Sequence, residues 1–168
     1  MPAPKAPSAA PEESAWLLDE AEVGARAAEA ARGESGAVDR RRAIARVLAP
    51  EIKAARAKVE ELLHLQPRTS REVVRGYAQI TDTIIRLSYR LAADHLLDGP
   101  SKQHDLAVLA VGGYGRGEMA PYSDVDLLFL TPATNAAASE KLAEAMLYIF
   151  WDLKLKVGHA TRSVRDCI

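Results

Sequence analysis

Two carboxylates one residue apart head an apolar run, Asp124-Val-Asp-Leu-Leu-Phe-Leu130. Side chains alternate along a strand, so Asp124 and Asp126 point to one face and Val125 to the other. Like charges this close repel unless a cation sits between them. The leucines and phenylalanine that follow demand burial, so the pair is anchored on a core strand. Magnesium fits such a pair, because it takes oxygen ligands and is usually held by one or two carboxylates together with substrate phosphates. Just upstream, Leu106-Ala-Val-Leu-Ala-Val111 is a short apolar run ended by Gly112-Gly113, which reads as a buried strand running into a glycine turn. Glycine lets backbone N–H groups approach an anion closely. Arg116 lies in the same loop as a cation for phosphate, and Ser123 adds a hydroxyl beside the aspartates. Strand, glycine turn, spacer and Asp-x-Asp together are equipment for phosphoryl or nucleotidyl transfer assisted by a metal.

The rest of the chain bounds the setting. In 168 residues there is room for one ordinary domain, or one with a helical extension. Residues 1–11 hold four prolines and read as a tail. Residues 12–100 read as a helical region. An alanine-rich helix is expected from Glu12 to Arg32, and a second over residues 39–65 that kinks or restarts at Pro50. Thr69-Ser-Arg-Glu72 has capping-box spacing and predicts a long helix to about Leu97. Its buried stripe is Val73, Val74, Tyr77, Ile80, Ile84, Leu87, Leu91 and Leu96. Residues 101–168 form the core: the two strands above, a helix over 136–152, a third strand from Leu153 to Ala160, and a further helix near Ser163. Trp151 is expected to anchor the helix to the sheet. The predicted class is α/β (α+β): a small mixed sheet preceded by a helical region. So thin a sheet implies a fragment, or a chain that leans on something outside itself.

Charge and composition exclude several functions. The net charge is −1, although residues 1–39 carry −5 and residues 40–75 carry +6. The run Arg40-Arg-Arg42 has no interleaved aromatics and reads as a solvated helix start rather than a nucleic-acid patch. No apolar stretch approaches the roughly 18 residues of a membrane span, and a cytoplasmic location is expected. One cysteine, Cys167, excludes an internal disulfide framework. His64, His95 and His104 lack metal-ligand spacing, and His159 reads as structural. A dinucleotide-binding turn is unfavourable, since the third glycine of the pattern opening at Gly113-Tyr-Gly115 would fall on Glu118. A Walker loop fails for want of Gly-Lys-Ser/Thr.

The glycine pair followed by Asp-x-Asp resembles the nucleotidyltransferase superfamily signature. The longer runs Gly112-Gly-Tyr-Gly-Arg-Gly-Glu118 and Ser123-Asp-Val-Asp-Leu127 look like the N-terminal catalytic domain of the PII-protein uridylyltransferase/uridylyl-removing family. Trp151-Asp152 and Val157-Gly-His-Ala-Thr-Arg162 are similar to that family's next segment. The resemblance covers residues 70–168. It implies transfer of UMP from UTP to a tyrosine of the PII signalling protein, with release of pyrophosphate. It also implies that Asp124 and Asp126 hold Mg²⁺, that Gly112, Gly113 and Ser123 cradle the triphosphate, and that Arg116 lies nearby. The superfamily's third carboxylate would fall beyond Ile168, since Asp166 lies in the expected terminal helix. The family's hydrolase and ACT domains do not map onto this chain, so de-uridylylation and glutamine sensing are not carried over. The alternative is a module that binds Mg-nucleotide without turning it over.

Overall fold

Helices α1 (Glu20–Arg32), α2 (Ala37–Leu65) and α3 (Ser70–His95) come first. The computed structural model describes residues 17–65, 70–97, 105–133 and 136–167. α1 starts where Asp19 accepts the Glu22 N–H at 2.9 Å, eight residues later than Glu12. The cap and the acids Glu20 and Glu22 both favour the positive end of the helix dipole. Val23, Ala27 and Ala31, four residues apart, make its buried stripe. α2 runs through Pro50 as one helix. Pro50 is exposed, so the carbonyl one turn back, left without its usual donor, can be met by water instead. The capping position Thr69 lies outside the described residues. On α3, Val73, Tyr77, Ile80, Ile84, Leu87 and Leu91 are buried and Val74 is half-buried, as is Leu96 just past its end.

α2 and α3 pack tightly at Gly76, where a β-carbon would lie 2.9 Å from Val59 Cγ2. Val59 is fully buried and branched at Cβ, so it has little freedom to move away. Gly76→Ala therefore lowers stability by about 1–2 kcal/mol net, the overpacking outweighing the better helix propensity of alanine. Urea unfolding measures the loss, and Val59→Ala in the same chain recovers part of it.

The sheet follows, in the order β1 (Ala107–Ala110), β2 (Val125–Thr131), β3 (Val157–Ser163). β1 pairs antiparallel with β2, Ala110 opposite Leu127; β2 pairs parallel with β3, Asp126 opposite Gly158. A parallel pair needs a crossover, and α5 (Ala137–Asp152) supplies it. Val125, Leu127, Phe129 and Thr131 of β2 are buried and alternate with half-buried residues. Val125, Leu127 and Phe129 join Leu142, Met146, Ile149 and Phe150 of α5 and the stripe of α3 in one apolar core. The class is the expected one: a helical region, then a small mixed sheet.

Four local expectations are corrected. β1 is not a buried strand: Ala107, Leu109 and Ala110 are exposed. Among the described residues it is an edge strand, paired with β2 only. β3 spans Val157–Ser163 rather than 153–160, because Leu153–Lys156 makes a turn in which Lys154 takes φ +57°. The helix expected near Ser163 is a single 3-10 turn, Val164–Cys167. Trp151 does not anchor α5 to the sheet. It is 52% exposed and packs edge-on against Tyr148, while Ile149 and Phe150 turn inward. No helix among the described residues is long and apolar enough to cross a membrane.

Candidate active site

The alternation of β2 sets the site. Val125 is buried, Asp126 beside it is half-buried, and Asp124, immediately before the strand, is exposed. The Val111 N–H donates to the Asp126 carbonyl at 3.0 Å, extending the β1–β2 ladder by one residue. Val111, Asp126 and Gly158 thus form one row across the sheet. The chain then turns through α4, a single helical turn over Gly112–Gly115 where the sequence predicted only loop.

The Asp126 carboxylate lies between two glycines. A β-carbon at Gly112 would sit 2.7 Å from its Oδ2, and one at Gly158 would sit 2.6 Å from its Oδ1. Gly112 also adopts φ +60°, which side chains with a β-carbon rarely take. Among the described residues, neither the Asp124 nor the Asp126 side chain forms an ion pair or hydrogen bond. Hard oxygen donors without a protein partner, on a shape kept open by two absent side chains, fit a divalent cation such as magnesium. No group of three or more His, Cys, Asp or Glu side chains converges on a common point among the described residues.

The other expected residues divide. Gly113 follows Gly112 in the turn, and the backbone N–H bonds of that turn begin at Gly115, which donates to Val111 at 2.9 Å. The N–H groups of Gly112 and Gly113 precede the first bond of the turn and are left over for an acceptor from outside. Arg116 folds back on its own loop: Nη1 donates to the Gly112 carbonyl at 2.9 Å and Nε pairs with Glu118 at 2.9 Å. With Arg71 and Arg75 of α3 it lines a cleft of about 500 Å³. Ser123 closes a tight turn, its Oγ accepting the Ala120 N–H at 3.1 Å while its own N–H returns to the Ala120 carbonyl at 3.1 Å. That turn holds Tyr122 at φ +65° and 88% exposed, next to the acids. Asp166 is occupied elsewhere: its carboxylate accepts both the N–H and the O–H of Ser163, which hold its pKa below the usual range. His159 is exposed and edge-on to Phe129.

Two neighbours of these residues do not show in the sequence. Gly158 is one, visible only once the parallel register sets it opposite Asp126. The other is Asp82 of α3, which accepts the Tyr114 hydroxyl at 2.5 Å across 32 residues of sequence.

Residues 97–163, which hold the glycine turn and the Asp-x-Asp strand, match the family described as "Nucleotidyltransferase domain". The chain carries a stretch similar to that domain. Its curated relatives are more particular: the "Bifunctional uridylyltransferase/uridylyl-removing enzyme" of Ruegeria pomeroyi is 44% identical over 90% of this chain and 17% of that protein. The enzymes of the same name from Cereibacter sphaeroides and Bradyrhizobium sp. (strain ORS 278) are 48% and 45% identical, over 76% and 90% of this chain and 14% and 16% of theirs. The chain thus spans less than a fifth of the length of these relatives. No solved structure matches it significantly.

Proposed function

We propose that this site transfers UMP from UTP to a tyrosine of the PII signalling protein, releasing pyrophosphate. The observation that carries the reading is the Asp126 carboxylate, free of protein partners and kept open between Gly112 and Gly158. The names of the relatives support uridylyl as the transferred group. In the reaction the tyrosine oxygen bonds to the α-phosphorus, the bond from that phosphorus to the β-phosphate bridge breaks, and the phenolic proton leaves to solvent. Asp124 and Asp126 hold Mg²⁺, which when bound supplies positive charge at the α-phosphate and favours the ionised nucleophile. The chain's own part is placement. Gly112 and Gly113 present N–H groups to the triphosphate, Arg116 braces the turn and adds positive charge beside it, and Ser123 fixes the turn that leads into Asp124. The work is positioning and electrostatic stabilisation rather than covalent catalysis.

A second reading, Mg-nucleotide binding without transfer, is favoured by one observation: only two carboxylates stand at the site among the described residues. Incubation with PII protein, Mg²⁺ and UTP labelled at the α-phosphate separates the two. Label on PII that disappears with Asp126→Asn establishes transfer. Calorimetric binding of Mg-UTP without label establishes the module. Neither heat nor label overturns both.

A further inference from the structure

We propose that Asp82 of α3 is a positioning residue for the nucleotide turn, acting through the hydroxyl of Tyr114. The inference rests on the reading of Gly112 and Gly113 as the triphosphate cradle. Three of the four residues of α4 are glycines, and a glycine-rich turn loses more conformational freedom on ordering than any other. Tyr114 is the one side chain the turn possesses. It is 6% exposed, and its O–H donates to Asp82 Oδ1 at 2.5 Å. A hydrogen bond to an ionised carboxylate is among the stronger neutral-to-charged contacts available to a protein. Burial and the adjacent carboxylate both hold the phenol well above its ordinary pKa, so it remains a donor through the neutral range.

Arg86, one turn further along α3, lies close enough to act on the same phenol. Its guanidinium is committed elsewhere, to Glu20 of α1 at 2.8 Å and Thr83 at 3.1 Å. Asp82 is therefore left to Tyr114, and its side chain makes no other hydrogen bond or ion pair among the described residues. The helical region, to which the site residues assign no chemistry, thereby sets where the cradle stands relative to Asp126. The turn is held on the sheet side by the Val111–Asp126 and Gly115–Val111 backbone bonds and on the helix side by this hydrogen bond together with the burial of Tyr114 in the core.

The test is titration of the 168-residue chain with Mg²⁺ and a UTP analogue whose α–β bridge does not hydrolyse. Tyr114→Phe and Asp82→Ala each weaken binding about tenfold, the scale of one hydrogen bond to a charged group. Asp82→Asn keeps an accepting oxygen and restores affinity to within about threefold of the parent. The double variant Tyr114→Phe/Asp82→Ala is no weaker than either single, because both remove one interaction. Amide exchange quickens over Gly113–Gly117 in Tyr114→Phe and stays unchanged in α5. If the singles lower the melting temperature but bind the analogue as the parent does, the pair is only structural and the proposal fails. If their losses add, it fails likewise. A parent chain that binds no analogue overturns the reading of the cradle itself, and the proposal with it.

Discussion

Asp126→Asn abolishes transfer, by at least about a thousandfold in kcat/KM, while the protein melts where the parent does. The two halves of this result come from the same observation. The carboxylate has no hydrogen bond or ion pair among the described residues, so neutralising it strips no partner from the fold. Surface and half-buried substitutions of that kind usually change stability by less than about 0.5 kcal/mol. Its charge, by contrast, is the whole of its contribution: an amide is nearly isosteric but binds a hard cation poorly. Asp124→Asn, one position outside the strand and more exposed, loses activity in the same direction. Rates of UMP incorporation and thermal melts on the same samples check both halves. An Asp126→Asn chain that retains a tenth of the parent rate refutes the assignment.

Gly158→Ala produces a second large loss, about a hundredfold, from a residue that contributes no functional group. The added carbon would stand 2.6 Å from Asp126 Oδ1, closer than β-carbons approach any atom in real structures. Gly158 is exposed and its backbone is in an ordinary strand conformation, so alanine is acceptable there to the strand itself. The carboxylate must swing aside, and a misplacement of about 1 Å at a reacting centre costs roughly a hundredfold. The prediction is sharp because stability and activity separate: melting within a degree or two of the parent, and turnover nearly gone. Gly112→Ala is a poorer probe, since its φ of +60° adds backbone strain to the clash at Oδ2. If Gly158→Ala is fully active, Asp126 has room to move and the site is looser than its geometry implies.

What could be read from the residues was local. The stripe of α3 obeys a helical period, and the alternation from Val125 to Thr131 obeys a strand period, so both elements and the outward direction of Asp126 follow from spacing alone. Gly112, Gly113, Arg116 and Ser123, the residues proposed to face the nucleotide, were legible as a glycine turn with a cation and a hydroxyl. What each one touches was not. Arg116 and Ser123 satisfy their own loop first, through Gly112, Glu118 and Ala120. The errors share a cause. The run Leu106–Val111 looks buried because apolar content says nothing about whether a second strand lies on its far side. Trp151 looks like an anchor because its size does, yet the phase of α5 turns its two predecessors inward. Gly158 opposite Asp126 and Asp82 beneath Tyr114 are pairings between distant segments, and only the assembled register brings them together.

That register has a consequence for how such a protein can fail. Along β2 the same two-residue rhythm that buries Val125, Leu127 and Phe129 sends Asp126 outward to meet Gly158. A slip of one position would press the acids into oil and leave the greasy side chains wet. Misassembly is thus both unstable and inert, and no long-lived but idle conformer is available by simple sliding. Natural variation that loosens this ladder should forfeit solubility and turnover together, whereas drift at Asp124 or Asp126 removes turnover alone. The two kinds of lesion can be told apart by asking whether the damaged protein still accumulates.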